Sequence, residues 1–137
     1  MTITGGCLCG AVRYSVAADA IATRVCWCRV CQYLAAGNAT INIVFPTDAI
    51  TMTGPLQGYS NVADSGNRMH RQFCERCGTP MTSRSEARPH LTVLRAGTLD
   101  NPELAQPSLT IWTDSAPSWA RINEQLPSTP RQPPPAG

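Results

Sequence analysis

The sequence contains no lysine, since all 11 of its basic residues are arginine. This absence excludes Schiff-base catalysis by lysine and phosphate binding by a P-loop lysine. The arginines are scattered along the chain and form no basic run or stripe, so we expect no nucleic-acid partner.

Long hydrophobic runs are absent as well. No stretch of 18 apolar residues occurs, and the segment from Met1 to Cys7 lacks the basic and apolar regions of a secretory signal. We therefore expect neither membrane insertion nor secretion, and predict a cytoplasmic protein. Cysteines remain reduced in that compartment.

Short strands dominate the predicted secondary structure. In residues 11–16, Val12, Tyr14 and Val16 alternate with polar side chains, as expected of a half-buried strand. With 137 residues, the chain has the length of one ordinary domain. We predict a mainly β fold of short antiparallel strands. Further strands are predicted at residues 40–45, 49–53, 67–73, 90–95 and 109–112.

Helical patterns are scarce. One short helix is predicted at residues 30–36 and a second at residues 117–122, where Pro117 suits a first helical turn. Five prolines fall between Pro127 and Gly137, which is typical of an extended or disordered segment. The predicted organisation is one domain at 1–122 and a Pro-rich tail at 123–137.

The seven cysteines form three groups at short spacings: Cys7-x-Cys9, Cys26-x-Cys28-x-x-Cys31 and Cys74-x-x-Cys77. Disulfides are disfavoured by the odd number and by the small rings that the closest pairs would close. Packing as small hydrophobic residues does not explain the grouping. A redox Cys-x-x-Cys pair lacks its usual βαβ context. An iron–sulfur cluster is a more distant alternative.

Zinc accounts for all seven. A structural zinc takes four thiolates, usually as two short pairs, whereas a catalytic zinc keeps one position open. If Cys7 and Cys9 join Cys74 and Cys77, then Cys26, Cys28 and Cys31 remain as three ligands of a second zinc. The spacing alone also permits Cys74 and Cys77 to pair with two cysteines of the triplet. We prefer the first division because it leaves three ligands within six residues.

The chain resembles the glutathione-dependent formaldehyde-activating family, which includes the centromere protein V domain. Five motifs occur in the family's order and extend over nearly the whole chain. They are Gly-x-Cys-x-Cys-Gly-x-Val-x-Tyr at 5–14, Cys-x-Cys-x-x-Cys at 26–31, Phe-Cys-x-x-Cys-Gly-Thr-Pro at 73–80, Gly-Thr-Leu-Asp-x-Pro at 97–102 and Ile-Trp at 111–112.

This resemblance implies a β-tent zinc fold with two Zn²⁺ per chain. It implies a structural zinc at Cys7, Cys9, Cys74 and Cys77, and a catalytic zinc at Cys26, Cys28 and Cys31. The implied activity is that of a carbon–sulfur lyase resembling S-(hydroxymethyl)glutathione synthase, with a small-molecule thiol and an aldehyde as partners.

Two positions depart from the family pattern: Trp27 replaces the usual histidine and Gln32 the usual basic residue. They motivate a first alternative, a carbon–sulfur lyase that acts on a different thiol adduct. A second alternative is a non-catalytic, zinc-stabilised binding module, which requires a fourth ligand at the triplet from His70 or His90. The candidate substrate-binding residues are Trp27, Arg29, Gln32, Asn38 and Arg71.

Overall fold

The computed structural model describes residues 2–137, which form ten β-strands, one α-helix and four short 3₁₀ turns. Strand makes up 40% of the structure and helix 13%, which confirms the mainly β prediction. The strands are β1 (Ile3–Gly6), β2 (Arg13–Val16), β3 (Ala22–Cys26), β4 (Thr40–Pro46), β5 (Ile50–Thr53), β6 (Leu56–Val62), β7 (Arg68–Cys74), β8 (Pro80–Ser85), β9 (Leu91–Arg95) and β10 (Leu109–Ile111). Helix α1 is Arg29–Leu34, and the 3₁₀ turns are Thr47–Ala49, Ala96–Thr98, Pro102–Leu104 and Thr113–Ser115.

The strands form two sheets. A three-stranded sheet has the order β1-β2-β5, and a seven-stranded sheet has the order β10-β3-β4-β9-β8-β7-β6. Neighbouring strands are antiparallel except β10 and β3, which run parallel. The prediction of antiparallel strands is therefore wrong for this pair. A long connection separates β3 from β10, and such a connection permits parallel pairing, whereas a tight hairpin does not.

The two faces of the large sheet have different neighbours. Ile43, Phe45 and Leu94 are buried in the main core, together with Tyr14 and Val16 of the small sheet. Because side chains alternate along a strand, the intervening residues of β4 and β9 lie on the opposite face. There they line a cavity, so the sheet separates an apolar core from a functional surface.

Six of the ten strands lie where hydrophobic alternation predicts them, with ends shifted by a residue or two. The alternation of Val12, Tyr14 and Val16 is confirmed, since all three are buried. Ile41 differs from its predicted partners Ile43 and Phe45, because 38% of its surface is exposed. The strands that the sequence analysis missed are β1, β3, β6 and β8.

The helix predicted at 30–36 is confirmed as α1, but the one predicted at 117–122 is wrong. Pro117 begins only a turn, in which the Ala120 N–H donates to the Pro117 carbonyl. Trp119 is 65% exposed there, so little burial supports a short helix. Within residues 2–137, no helix has the length and hydropathy needed to cross a bilayer.

The Pro-rich segment is extended and lies along β10. The Thr110 N–H donates to the Pro127 carbonyl, and the Thr129 N–H donates to the Thr110 carbonyl, at 3.0 and 2.9 Å. Ser128 forms a parallel bridge with Thr110. The segment thus continues the large sheet at its β10 edge.

Candidate functional site

Two similar turns bring four cysteines together. In the first, the Gly10 N–H donates to the Cys7 carbonyl, and in the second the Gly78 N–H donates to the Cys74 carbonyl. Both glycines have left-handed backbone, with φ of 83° and 77°, a conformation that other residues adopt at a cost. Each turn therefore directs two thiols towards one point, and the fold places the two turns face to face.

The four Sγ atoms have the spacing of a metal centre. They all lie within 4.8 Å of one another, with 3.5 Å between Cys7 and Cys9 and 3.8 Å between Cys9 and Cys74. Four sulfurs at about 2.3 Å from a tetrahedral zinc are separated by roughly 3.8 Å. A disulfide needs about 2.05 Å, and all seven cysteines are free. The residues therefore fit a zinc ion.

Hydrogen bonds from backbone or hydroxyl groups reach three of these sulfurs. The Val12 and Cys77 N–H groups donate to the Sγ atoms of Cys7 and Cys74, at 3.2 and 3.4 Å. Hydrogen bonds from the hydroxyl and the backbone of Thr79 lower the pKa of Cys77 to about 5. Hydrogen bonds to the charged form favour that form, and metal ligands must be deprotonated.

The other three cysteines form a second, separate cluster. Cys26 ends β3, Cys28 caps α1 by accepting the Cys31 N–H at 3.3 Å, and Cys31 lies on the first turn of α1. Their Sγ atoms also lie within 4.8 Å of one another, and all three residues are buried. Among residues 2–137, no histidine, aspartate, glutamate or further cysteine joins this group. The division into four and three is therefore the one that the fold produces.

Proximity couples the three thiols. Hydrogen bonds from Cys26 and Cys28 lower the pKa of Cys31, and the same contacts raise the pKa of Cys26. Without a cation, the group therefore favours a mixture of thiolate and thiol over three thiolates. A divalent ion would remove this repulsion, and soft thiolate ligands suit zinc. This donor set fits a zinc ion with one coordination position left for another ligand.

The triplet opens into a cavity of about 320 Å³ on the face of the large sheet that is turned away from the core. Strand register explains its floor. Arg24 of β3 lies opposite Asn42 of β4, which in turn lies opposite Arg95 of β9. The next row across the sheet contains Val44, Val93, Ser83 and Arg71 in register. Side chains from five strands that are neighbours in the sheet therefore line the same cavity as Cys26, Cys28 and Cys31.

The cavity is strongly basic. Five arginines line it, whereas its one carboxylate, that of Asp64, accepts the backbone N–H of Arg29. Arg95 is the most buried of them, at 8% exposure; its Nη1 donates to Asn42, and its Nε has no hydrogen-bond partner within residues 2–137. Buried donors without a partner are uncommon in folded proteins. The five are Arg24, Arg71, Arg84, Arg88 and Arg95.

Of the five predicted substrate-binding residues, Arg71 is the one that lines the cavity. Arg29 is exposed, and its guanidinium lies 5.2 Å from the centre of the Tyr33 ring, on the outer side of α1. The Asn38 side chain is exposed and accepts the N–H of Ala39. The structure therefore does not place Arg29 or Asn38 at the cavity.

Trp27 and Gln32 lie in the protein interior. Trp27 is 2% exposed, and its side chain does not line the cavity. Gln32 is 6% exposed; its Nε2 donates to the carbonyls of Trp27 and Ser115, and its Oε1 accepts from Arg29. The structure therefore does not place the Trp27 or Gln32 side chain at the cavity.

His70 does not reach either cysteine cluster. Its Nδ1 lies 2.6 Å from Ser60 Oγ and its Nε2 lies 3.0 Å from Glu86 Oε2, on the exposed surface of β7. His90 precedes β9 and is exposed. Neither histidine supplies a fourth ligand to the triplet.

Arg24, Arg95 and Trp112 are cavity residues that the sequence analysis missed. Arg24 precedes Cys26 by two positions, so both side chains lie on one face of β3. Recognition of β3 as a strand would have revealed this relationship. Arg95 depends on register with Asn42, across more than fifty residues of sequence, and no local signal indicates it.

Comparison with known proteins agrees with this geometry. The model of the family described as glutathione-dependent formaldehyde-activating enzyme matches residues 2–115. The chain belongs to this family. The resemblance based on the five motifs is thereby confirmed, and the match includes both cysteine clusters of the family domain.

A solved structure shares the fold. It is a crystal structure of a Rhodobacter sphaeroides protein, a structural genomics target, with a TM-score of 0.59 and 20% sequence identity. The alignment covers 76% of this chain and 96% of the Rhodobacter chain. No curated protein matches the chain significantly.

Proposed function

We propose that this protein is a zinc-dependent carbon–sulfur lyase that joins a thiol to formaldehyde or a related aldehyde, or catalyses the reverse. The observation that carries the proposal is the difference between the two cysteine clusters. Four sulfurs complete one site, whereas three sulfurs face a basic cavity with no fourth protein ligand among residues 2–137. Membership of the formaldehyde-activating family supports this activity.

The two clusters have different roles in this account. Cys7, Cys9, Cys74 and Cys77 hold a structural zinc that joins the start of the chain to the end of β7. Cys26, Cys28 and Cys31 hold the catalytic zinc. When bound there, zinc supplies a position that keeps an incoming thiol as thiolate near neutral pH.

The reaction balances without a further reactant. A bond forms between the thiol sulfur and the aldehyde carbon, the C=O π bond becomes a C–O single bond, and the thiol proton ends on that oxygen. The reverse reaction breaks the C–S bond and returns the proton to sulfur.

The charge of the cavity favours an anionic thiol. Arginine binds carboxylates through paired N–H groups, and glutathione carries two carboxylates. Arg71 donates from Nε to Asn61 Oδ1, at 3.2 Å, a contact that leaves its terminal nitrogens available. Because Arg24 and Arg95 lie nearer the triplet in strand register, a ligand with sulfur at the cysteines meets positive charge along its whole length.

The structure gives less support to the two alternative functions. A lyase for another thiol adduct was suggested by Trp27 and Gln32, but neither side chain lines the cavity. A non-catalytic zinc module needs a fourth ligand at the triplet, and His70 instead contacts Ser60 and Glu86. Both observations support the glutathione-type activity over its alternatives.

Exchange NMR spectroscopy tests the proposal, because thiols and formaldehyde also combine without a catalyst. The rate of exchange between free and thiol-bound formaldehyde is measured with glutathione and with neutral 2-mercaptoethanol. We expect the protein to accelerate exchange with glutathione, and Cys28→Ser to reduce the rate to that of buffer. An unchanged rate with every thiol would contradict an enzymatic function.

Arg71→Gln gives a sharper version of this test. We expect the KM for glutathione to rise about tenfold, the effect of losing one charge-assisted hydrogen bond, while the parameters for 2-mercaptoethanol stay the same. Arg121→Gln is the matched control, because Arg121 is exposed and does not line the cavity. Equal effects on both thiols would contradict the role of Arg71 in binding carboxylate.

A further inference from the structure

One wall of the cavity comes from a part of the chain outside the family match. That match ends at residue 115, whereas Gln132, Pro133, Pro135 and Ala136 line the same cavity as the residues of the sheet. We call residues 132–136 the prolyl wall. The family domain therefore supplies the cysteines and arginines, and the later segment limits the space beside them.

The prolyl wall is tied to the sheet at its start. The Asp114 N–H donates to the Pro130 carbonyl at 3.1 Å, and the Asp114 carboxylate lies 3.5 Å from Arg131 Nε. The Trp112 Nε1 then donates to Gln132 Oε1 at 3.0 Å. These contacts fix the point at which residues 130–132 stop following β10 and begin to line the cavity.

Trp112 occupies a special position at this point. Its backbone is left-handed, with φ of 62° and ψ of 37°, which is uncommon for a residue with a side chain as large as tryptophan. Trp112 comes directly after β10. Its side chain lines the cavity, and its indole N–H donates to Gln132. Strained backbone of this kind is concentrated at functional sites.

The far end of the wall lies against the opposite side of the cavity. A Cβ atom at Gly137 would lie 3.8 Å from Leu91 Cδ1 and 3.9 Å from Ile21 Cγ2, so the backbone there is close to β9 and to the residue before β3. Prolines at 133, 134 and 135 restrict the chain to extended conformations, and ordering such a segment costs little entropy. The prolyl wall therefore crosses the cavity as an extended segment with little conformational freedom.

We propose that the prolyl wall sets the size limit for the thiol that reaches Cys26, Cys28 and Cys31. The identity of the ligand as a thiol rests on the proposed function; the restriction of access does not. Small anionic thiols fit between the wall and the arginines, and larger thiol adducts are excluded. The Trp112–Gln132 hydrogen bond holds the wall in its restricting position.

Cysteine modification tests this inference without relying on activity. The protein as purified is treated with N-ethylmaleimide or with the larger fluorescein-5-maleimide, and the modification rate of each cysteine is read by peptide mass spectrometry. The variants are Gln132→Ala and the double variant Pro133→Gly/Pro135→Gly. Gln125→Ala is the matched control, since Gln125 is exposed and lies outside the cavity.

We expect the larger reagent to modify Cys26, Cys28 and Cys31 about fivefold faster in Gln132→Ala than in wild type, the effect of losing one neutral hydrogen bond. The rate with N-ethylmaleimide should change much less. Cys7, Cys9, Cys74 and Cys77, which lie outside the cavity, serve as the internal standard and should react at unchanged rates.

Unchanged rates for the larger reagent in both wall variants would overturn the proposal. The exchange assay with glutathione separates this outcome from a failure of the proposed function. Faster modification in the wall variants without catalysed exchange would support the size limit set by the prolyl wall and contradict the proposed lyase activity. Catalysed exchange with unchanged modification rates would support the lyase activity and contradict the size limit.

Discussion

The Gln32 side chain donates a 2.9 Å hydrogen bond to the carbonyl of Trp27, so the two residues that depart from the family pattern contact each other. The second Nε2 hydrogen reaches the Ser115 carbonyl at 3.0 Å. Gln32 thereby joins α1 to the loop before Cys28 and to the turn after β10. The two departures are thus in contact in the interior, and neither side chain lines the cavity.

Replacing Gln32 with leucine should destabilise the protein. The substitution keeps the volume roughly constant but leaves the buried Trp27 carbonyl and the partly buried Ser115 carbonyl without their donor, at a cost of about 1–3 kcal/mol. The measurement is the free energy of unfolding from urea titration of zinc-loaded protein. Gln106→Leu is the control, because Gln106 is exposed and its side chain bonds locally to Glu103. A loss no larger than that of the control would contradict the role assigned to Gln32.

The missed strands show what hydrophobic patterns reveal and what they hide. Strands β2 and β4 were predicted because one face packs in an apolar core. Strands β3 and β8 were missed because Arg24, Ser83 and Ser85 face a polar cavity, which removes the alternation of apolar residues. The functional face of the sheet is therefore the part that such patterns detect least.

The cysteine clusters were predictable for a different reason. Metal ligands within one turn must be close in sequence, so the spacing directly predicts each half of the four-cysteine site and all three cysteines of the triplet. The pairing of Cys7 with Cys74 and the burial of Arg95 beside the triplet depend on how the sheets assemble. Local sequence carries no record of either contact. The first was preferred because it leaves three ligands within six residues, and the family resemblance supported that choice.

Gly78 should be intolerant of alanine for reasons of backbone conformation alone. Its φ is 77°, and an added Cβ would meet no atom within 4 Å, so the whole penalty of about 1 kcal/mol comes from left-handed backbone. Gly58→Ala is the matched control, because Gly58 lies in β6 and its added Cβ would make only an ordinary contact of 3.7 Å with Arg71. Urea unfolding of both variants measures the difference. Equal stabilities would contradict the turn geometry at the four-cysteine site.

The ion pair between Arg13 and Asp100 should stabilise the fold at neutral pH. Hydrogen bonds from Arg13 and Thr4 lower the pKa of Asp100 to about 2, below its ordinary value of 3.8. A carboxylate whose pKa is lower in the folded than in the unfolded protein stabilises the fold at pH values above the unfolded-state pKa. This stabilisation is lost as the pH falls through the folded-state pKa. The contribution should therefore be constant from pH 8 to pH 5 and decline from about pH 4 towards pH 2.

Asp100→Asn tests this linkage. We expect a lower melting temperature than wild type at pH 7, with the same difference at pH 5, and no comparable change for the exposed control Asp19→Asn. Because both partners of the ion pair are about half exposed, the difference should be small and should shrink in high salt. A difference that already changes between pH 7 and pH 5 would show that Asp100 does not titrate as the contacts predict.

Metal content per chain tests most directly whether four cysteines form a closed site and three an open one. Zinc is measured by elemental analysis in wild type, Cys28→Ser and Cys77→Ser, and folding is followed by circular dichroism. We expect two zinc ions in wild type, one zinc and a folded protein for Cys28→Ser, and an unfolded or aggregated protein for Cys77→Ser, because the four-cysteine site joins distant segments. The opposite pattern, in which Cys28→Ser unfolds and Cys77→Ser stays folded, would contradict the account.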